Sequence, residues 1–237
     1  MSQINSSEVA NLANLEELER FRTIRRLRNH WSRPIGPPAY YWYLTFEEHT
    51  ELQSLASKCQ QAISFPYYDL TPPRDLHMTL DKIAFDGDLT PDQLHRIEAI
   101  AARTCREIQP FDVTIGPLSG TPGAIGFSVF PIQPIDELRN KLRQATLSIY
   151  PEAPVTRSEF HPHIAIAYAN SDVPAAEAIA ALNELNTAAF LNVTVEEGAL
   201  VLLKRHQRSY AWQPISRVPL GSADGRQASG FPRDQST

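Results

Sequence analysis

Phe160-His161-Pro162-His163-Ile164-Ala165-Ile166-Ala167-Tyr168 is a short apolar run with a histidine near its start. Leu76-His77-Met78-Thr79-Leu80 carries the same arrangement earlier in the chain. Both runs read as strands. Residues two apart in a strand share a face. His77 and Thr79 therefore point one way, and Met78 and Leu80 the other. In the later run His163, Ala165 and Ala167 share one face, while Ile164, Ile166 and Tyr168 share the other, which assigns Tyr168 to the core. Each strand sets an imidazole opposite its bulkier apolar residues.

Working outward, the surroundings of the two runs also match. Tyr40 to Phe46 is aromatic enough for a strand, and a helix is predicted from about Glu47 to Ile63. Phe65 to Arg74, with Pro66, Pro72 and Pro73, reads as a loop before the first histidine strand. Thr90 and Pro91 form a helix start, the helix runs to about Ile108, and Phe111 to Gly116 is a strand. The order then recurs. Ala124 to Phe130 is a strand, Pro134 to Ser148 a helix, Tyr150 to Glu159 a loop, and the second histidine strand follows. A helix over Pro174 to Leu185 and a strand over Phe190 to Glu196 complete the repeat, and Ala199 to Arg205 with Tyr210 to Val218 form a closing hairpin. Repeats at about 40–116 and 124–196 predict an α+β fold of two lobes related by a pseudo-twofold axis. Such an axis would bring His77 and His163 together across a cleft.

The flanks differ in character. Residues 1–38 read as an N-terminal helical extension and linker, with a helix from about Ser7 to Trp31 ended by Arg33-Pro34-Ile35-Gly36-Pro37-Pro38. Its arginines, from Arg20 to Arg28, are read as a solvated helix face, with phosphate contact as the alternative. Residues 39–220 form the bilobal domain, and 221–237, rich in Gly, Ser, Asp and Arg, read as a disordered tail.

The chain of 237 residues is 42% hydrophobic and 21% charged, ordinary for a soluble globular protein. A formal net charge of -5 argues against gripping long duplex nucleic acid, which requires many phosphates to be neutralised. A small anionic substrate in a local pocket fits better. Cys59 and Cys105 suggest neither a disulfide framework nor a metal motif and are read as reduced thiols. No signal peptide or membrane span is legible, so a cytoplasmic location without membrane partners is expected, as is a monomer.

Two facing histidines suit acid–base work near neutral pH, one imidazole accepting a proton while the other donates one. In-line displacement at a phosphodiester needs that division. Thr79, on the same face as His77, is placed to hold a non-bridging oxygen, and no metal or other cofactor is required. Tyr43, with Tyr40 and Trp42, reads either as core or as a ring for stacking a base; Tyr43 and Arg157 are carried as candidate substrate contacts. The basic run Lys204, Arg205, His206 and Arg208 either lines the cleft or forms a solvated turn. His161 reads as a strand-entry residue, the alternative being a metal pair with His163. His30, His49, His95 and His206 lack a motif and are read as surface residues.

His77-Met78-Thr79-Leu80 and Pro162-His163-Ile164-Ala165-Ile166-Ala167 resemble the paired His-x-Thr/Ser-x motifs of the two-histidine (2H) phosphoesterase superfamily. The nearest branch is the 2'–5' RNA ligase-like, RNA 2',3'-cyclic phosphodiesterase branch. The resemblance covers about residues 39–220. It implies two lobes, each with an antiparallel sheet and outer helices, and a shared cleft faced by both motifs. It also implies a phosphodiesterase acting on a small nucleotide or RNA end, with a 2',3'-cyclic phosphate or a 2'–5' linkage. Carried over residue by residue, it makes His77 and His163 catalytic and Thr79 a phosphate contact. The second motif has Ala165 where the family has Thr or Ser, so no second hydroxyl is carried over. That departure keeps a second reading open, a nucleotide or RNA-end binding module with little or no turnover. A third is a metal hydrolase built on His161 and His163.

Overall fold

The structure, a computed structural model, describes residues 18–155, 160–185 and 190–221. Its strands are β1 (Ala39–Thr45), β2 (Tyr68–Leu70), β3 (His77–Phe85), β4 (Phe111–Thr121), β5 (Ala124–Phe130), β6 (His163–Ala169), β7 (Leu191–Val195), β8 (Glu197–Arg205) and β9 (Tyr210–Pro219). Its helices are α1 (Thr50–Ala62), α2 (Pro91–Cys105), α3 (Ile132–Ile149) and α4 (Ala176–Leu185). Thr90 caps α2 with a reciprocal Gln93 capping box, and Pro91 opens the helix, as the sequence predicts. Such a cap is worth about 1 kcal/mol. Tyr68–Leu70, expected as loop, forms a short strand against β6.

All strand pairs are antiparallel, and they form two sheets, ordered β3-β1-β8-β9 and β2-β6-β5-β4-β7. The order β1-α1-β3-α2-β4 is followed by β5-α3-β6-α4-β7, yet the lobes are not the repeats. β4, the end of the first repeat, joins the second sheet, and the β8–β9 hairpin completes the first. The helices cross over as well. α3, from the second repeat, packs with α2 behind the first sheet, where Trp42 Nε1 donates to Thr146 Oγ1 at 3.0 Å. α1, from the first repeat, packs behind the second sheet beside α4. Period and turn signals locate elements along the chain; which sheet a strand joins depends on which apolar faces meet. The exchange makes one continuous core, from Trp42 and Met78 through Phe127 to Ile164 and Leu182. β3 and β6 come into contact where the lobes meet.

The N-terminal segment departs most from its expected form. Helix covers residues 18–22 of the described part, but from Ile24 to Asn29 the chain is extended. Arg26 bridges to Pro174, Leu27 N donates to Val173 O at 2.8 Å, and Arg28 N donates to Pro122 O at 2.7 Å. Tertiary partners for the backbone outcompete a helix whose apolar spacing was adequate. Phe21 and Leu27 are fully buried, each in its own site on the second lobe. Gly120 must be glycine for this, since a Cβ there would lie 2.4 Å from the Phe21 ring. The expected helix before residue 18 and the expected tail after residue 221 lie outside the described residues.

Candidate active site

Both histidine strands carry a bulge at the same place. On β3, Tyr43 pairs with Thr79 and Trp42 with Asp81, leaving Leu80 extra. On β6, Gly126 pairs with Ala165 and Ile125 with Ala167, leaving Ile166 extra. A bulge releases a carbonyl from the ladder and re-aims the residues beyond it. A buried helix side chain bonds the carbonyl of each extra residue. Arg139 Nε of α3 donates to Leu80 O at 2.8 Å, and Gln60 Nε2 of α1 donates at 2.9 Å to Ile166 O, which also accepts from Thr71 N at 2.9 Å. Gly126 is tied to the second bulge, because a Cβ there would stand 2.5 Å from Ile164 O.

The bulges correct the assignment of Tyr168. Strict alternation places it on the core face, but the extra residue Ile166 shifts the parity and turns Tyr168 to the cleft, where it shares a pocket with His77. The same device turns Asp81 inward, to pair with Arg143 Nε at 2.6 Å. Gly126, an isolated glycine within a strand, is a sequence signal for the second bulge; the first strand run has no such residue.

The histidines are held alike. His77 Nδ1 lies 2.7 Å from Asp75 O, and His163 Nδ1 lies 2.8 Å from His161 O. A carbonyl only accepts, so each Nδ1 carries the hydrogen and each Nε2 is left as the nitrogen for a substrate. Their surroundings differ. His163 is exposed. His77 is half-buried, stacked on Tyr43 at 4.3 Å and 6°, with the Trp212 ring edge-on at 6.0 Å. Burial pulls its pKa down to about 4, against the raising effect of the Asp75 carbonyl, and charge on His163 pushes it further down. The two imidazoles thus stand on strands that are in contact, near enough for the charge of one to act on the other.

Thr79 is exposed and stands opposite Tyr43 on the neighbouring strand. Tyr43 is only 1% exposed, and burial holds its phenol well above the ordinary range. It offers no open face to a base. In place of the expected open ring, Tyr43 is a buried ring stacked against His77. Trp42 is core, and Tyr40 bonds Asp86 away from the cleft. Arg157 lies outside the described residues.

Aromatic residues that sequence reasoning passed over surround His77. A pocket of about 180 Å³ is lined by Trp31, Tyr168, Tyr210 and Trp212 together with His77. Thr71, on the same pocket, has a buried hydroxyl with no hydrogen-bond partner. His30, expected at the surface, packs on Tyr168 at 4.4 Å and bonds Tyr210 Oη at 2.8 Å. Burial, aided by Arg205 and Arg33, pulls its pKa down to about 4. The basic run splits. Arg205 donates to Trp31 O and Pro34 O, and Arg208 holds Asp69 at 2.9 and 2.5 Å, tying the closing hairpin to β2 of the other sheet. Asp69 also accepts from Trp31 Nε1 at 2.8 Å. Two of the four basic residues are thus consumed in clamping the site, while Lys204 and His206 stay at the surface.

His161 and His163 line a second cavity, of about 160 Å³, with Ala165, Gly126, Gly120 and Arg20. Among the described residues no group of three or more His, Cys, Asp or Glu side chains is placed to hold a metal ion.

A family model for the 2'-5' RNA ligase superfamily matches residues 36–208. The chain belongs to the 2'-5' RNA ligase superfamily. No curated protein sequence matches it. Among solved structures, TT0787 of Thermus thermophilus matches with a TM-score of 0.60 at 19% identity, over 77% of this chain and 97% of that one. E. coli LigT complexed with 3'-AMP matches with a TM-score of 0.58 at 16% identity, over 79% and 100%. A further structure described as a phosphoesterase gives 0.57 at 17% identity, over 78% and 100%. These likenesses show the shared two-lobe fold. Within this superfamily member, Trp31, Tyr210 and Trp212 lie outside the matched stretch. No described helix is long and apolar enough to cross a membrane.

Proposed function

We propose that this member of the 2'-5' RNA ligase superfamily is a metal-independent phosphodiesterase. Its substrate is a small nucleotide or RNA end carrying a 2',3'-cyclic phosphate or a 2'–5' linkage. The observation that carries the reading is the matched pair of Nδ1–H···O=C bonds, which leave an Nε2 free for substrate on each of two imidazoles carried by contacting strands. Burial and the nearby imidazole of His163 favour the neutral form of His77, which suits it to the role of base. Neutral His77 then takes a proton from the attacking water as its oxygen bonds phosphorus. Protonated His163 gives its proton to the ester oxygen as the phosphorus–oxygen bond breaks. Thr79 donates to a non-bridging oxygen. The aromatic pocket beside His77 accepts the nucleoside, where base–aromatic stacking is worth about 1–3 kcal/mol. LigT, a neighbour in fold, has been solved with 3'-AMP, a nucleoside monophosphate of the kind such ring opening yields.

The test is hydrolysis of 2',3'-cyclic nucleotides with and without chelator, for wild type, His77→Ala and His163→Ala. Loss with either substitution and indifference to chelator are expected. Activity that survives both substitutions, or dies with chelator alone, rules the mechanism out. Ala165 favours one rival, a binding module without turnover, and nucleotide binding by wild type with no product formed would establish it.

A further inference from the structure

The strand registers allow the two halves of the site to be compared position by position. In the first lobe Thr79 stands opposite Tyr43 on the neighbouring strand. In the second lobe the equivalent pair is Ala165 opposite Gly126. A threonine and a tyrosine stand side by side at His77. An alanine and a glycine stand at the same place beside His163, and both line the cavity of about 160 Å³. It opens at His163, its lining is mostly apolar, and Arg20 of the N-terminal segment stands at its edge. Arg20, like Trp31 on the other pocket, comes from chain that precedes the family match. The N-terminal segment therefore lines both pockets, one on each side of the histidine pair.

We propose that the cavity at Ala165 and Gly126 is a second substrate subsite, which receives the organic group on the ester oxygen that His163 protonates. The proposal rests on the phosphodiesterase reading of the site. It selects a linear phosphodiester, with a nucleoside or similar flat, weakly polar group on each ester oxygen. A cyclic mononucleotide keeps both ester oxygens on one ribose and can fill only one of the two pockets. A linear diester fills both, and the leaving alcohol departs from the cavity once it has taken the proton. Loss of the second motif's hydroxyl is then a gain of room, not damage.

The experiment compares kcat/KM for a linear 2'–5'-linked dinucleoside monophosphate with kcat/KM for a 2',3'-cyclic mononucleotide. Wild type, Ala165→Leu, which fills the cavity, and Arg20→Glu, an exposed change that leaves the core untouched, are measured on both. The ratio of linear to cyclic kcat/KM is expected to fall at least ten-fold in Ala165→Leu, chiefly through KM, and by a smaller factor in Arg20→Glu. A wild type that turns over the cyclic compound alone, or a ratio unmoved in both variants, overturns the second subsite and leaves the two-histidine reading standing. A wild type that turns over neither compound overturns that reading, and the subsite with it.

Discussion

β3 and β6 are built alike and furnished differently. Each begins with a histidine whose Nδ1 bonds the carbonyl two residues back. Each bulges one residue after the motif's third position, and each bulge carbonyl is caught by a buried side chain from a helix of the other repeat. The side chains facing the cleft share none of this symmetry. His77 is walled in by Tyr43 and Trp212, whereas His163 is exposed beside a cavity. The comparison teaches that backbone symmetry sets where two imidazoles stand, and that unequal burial gives them different surroundings.

The comparison can be broken most severely at the histidines. His77→Gln and His163→Gln should each lower kcat/KM on a cyclic nucleotide by about a thousand-fold, within the usual range for losing a general acid or base. Far-UV circular dichroism should show both variants folded.

The two carbonyl catches should differ in worth. Arg139 is charged and 6% exposed, and Gln60 is neutral and equally buried. Arg139→Leu should cost about 3 kcal/mol and Gln60→Leu about 1 kcal/mol in urea unfolding, since hydrogen bonds to charged groups are the stronger. Equal losses would show that the bulges hold themselves.

The buried histidines give a pH signature. His77 and His30 are both pulled to about 4, from an ordinary value of 6.5. The unfolded chain therefore binds more protons between those values. Stability should be complete above pH 6.5 and fall as pH drops toward 4, by on the order of 2 kcal/mol for each histidine. In His30→Gln, thermal melts across that window should show a shallower fall than wild type.

The smallest effect is expected at Ala165. Ala165→Thr restores a hydroxyl beside His163 and should raise turnover of a cyclic nucleotide several-fold, about 1 kcal/mol of added stabilisation for a charged phosphate. An unchanged or lower rate would show that the second half of the site gains nothing from a hydroxyl.

Much of this was legible in residue order alone. Alternation and turn chemistry located the strands, the Thr90 cap and the histidine pair, because those depend on neighbours within a few residues. The resemblance of two short motifs, each placed alike in a repeated pattern, pointed to the family. Three things were not read from that order: the bulges that turn Tyr168 to the cleft and Asp81 away from it, the exchange of β4 and the helices between lobes, and the extended course of Ile24 to Asn29. Each depends on partners far away in sequence. The carbonyl of each bulge's extra residue is bonded by a side chain from a distant helix, Arg139 or Gln60. The N-terminal segment is extended because Val173 and Pro122 offer it acceptors.

The sequence by itself thus determined which residues are candidates for the chemistry, since a histidine and a hydroxyl two apart on a strand share a face. Only the tertiary structure decided how the two histidines differ. Burial is a property of everything packed around a side chain, and Tyr43, Trp31 and Trp212 reach His77 from three separate stretches of chain.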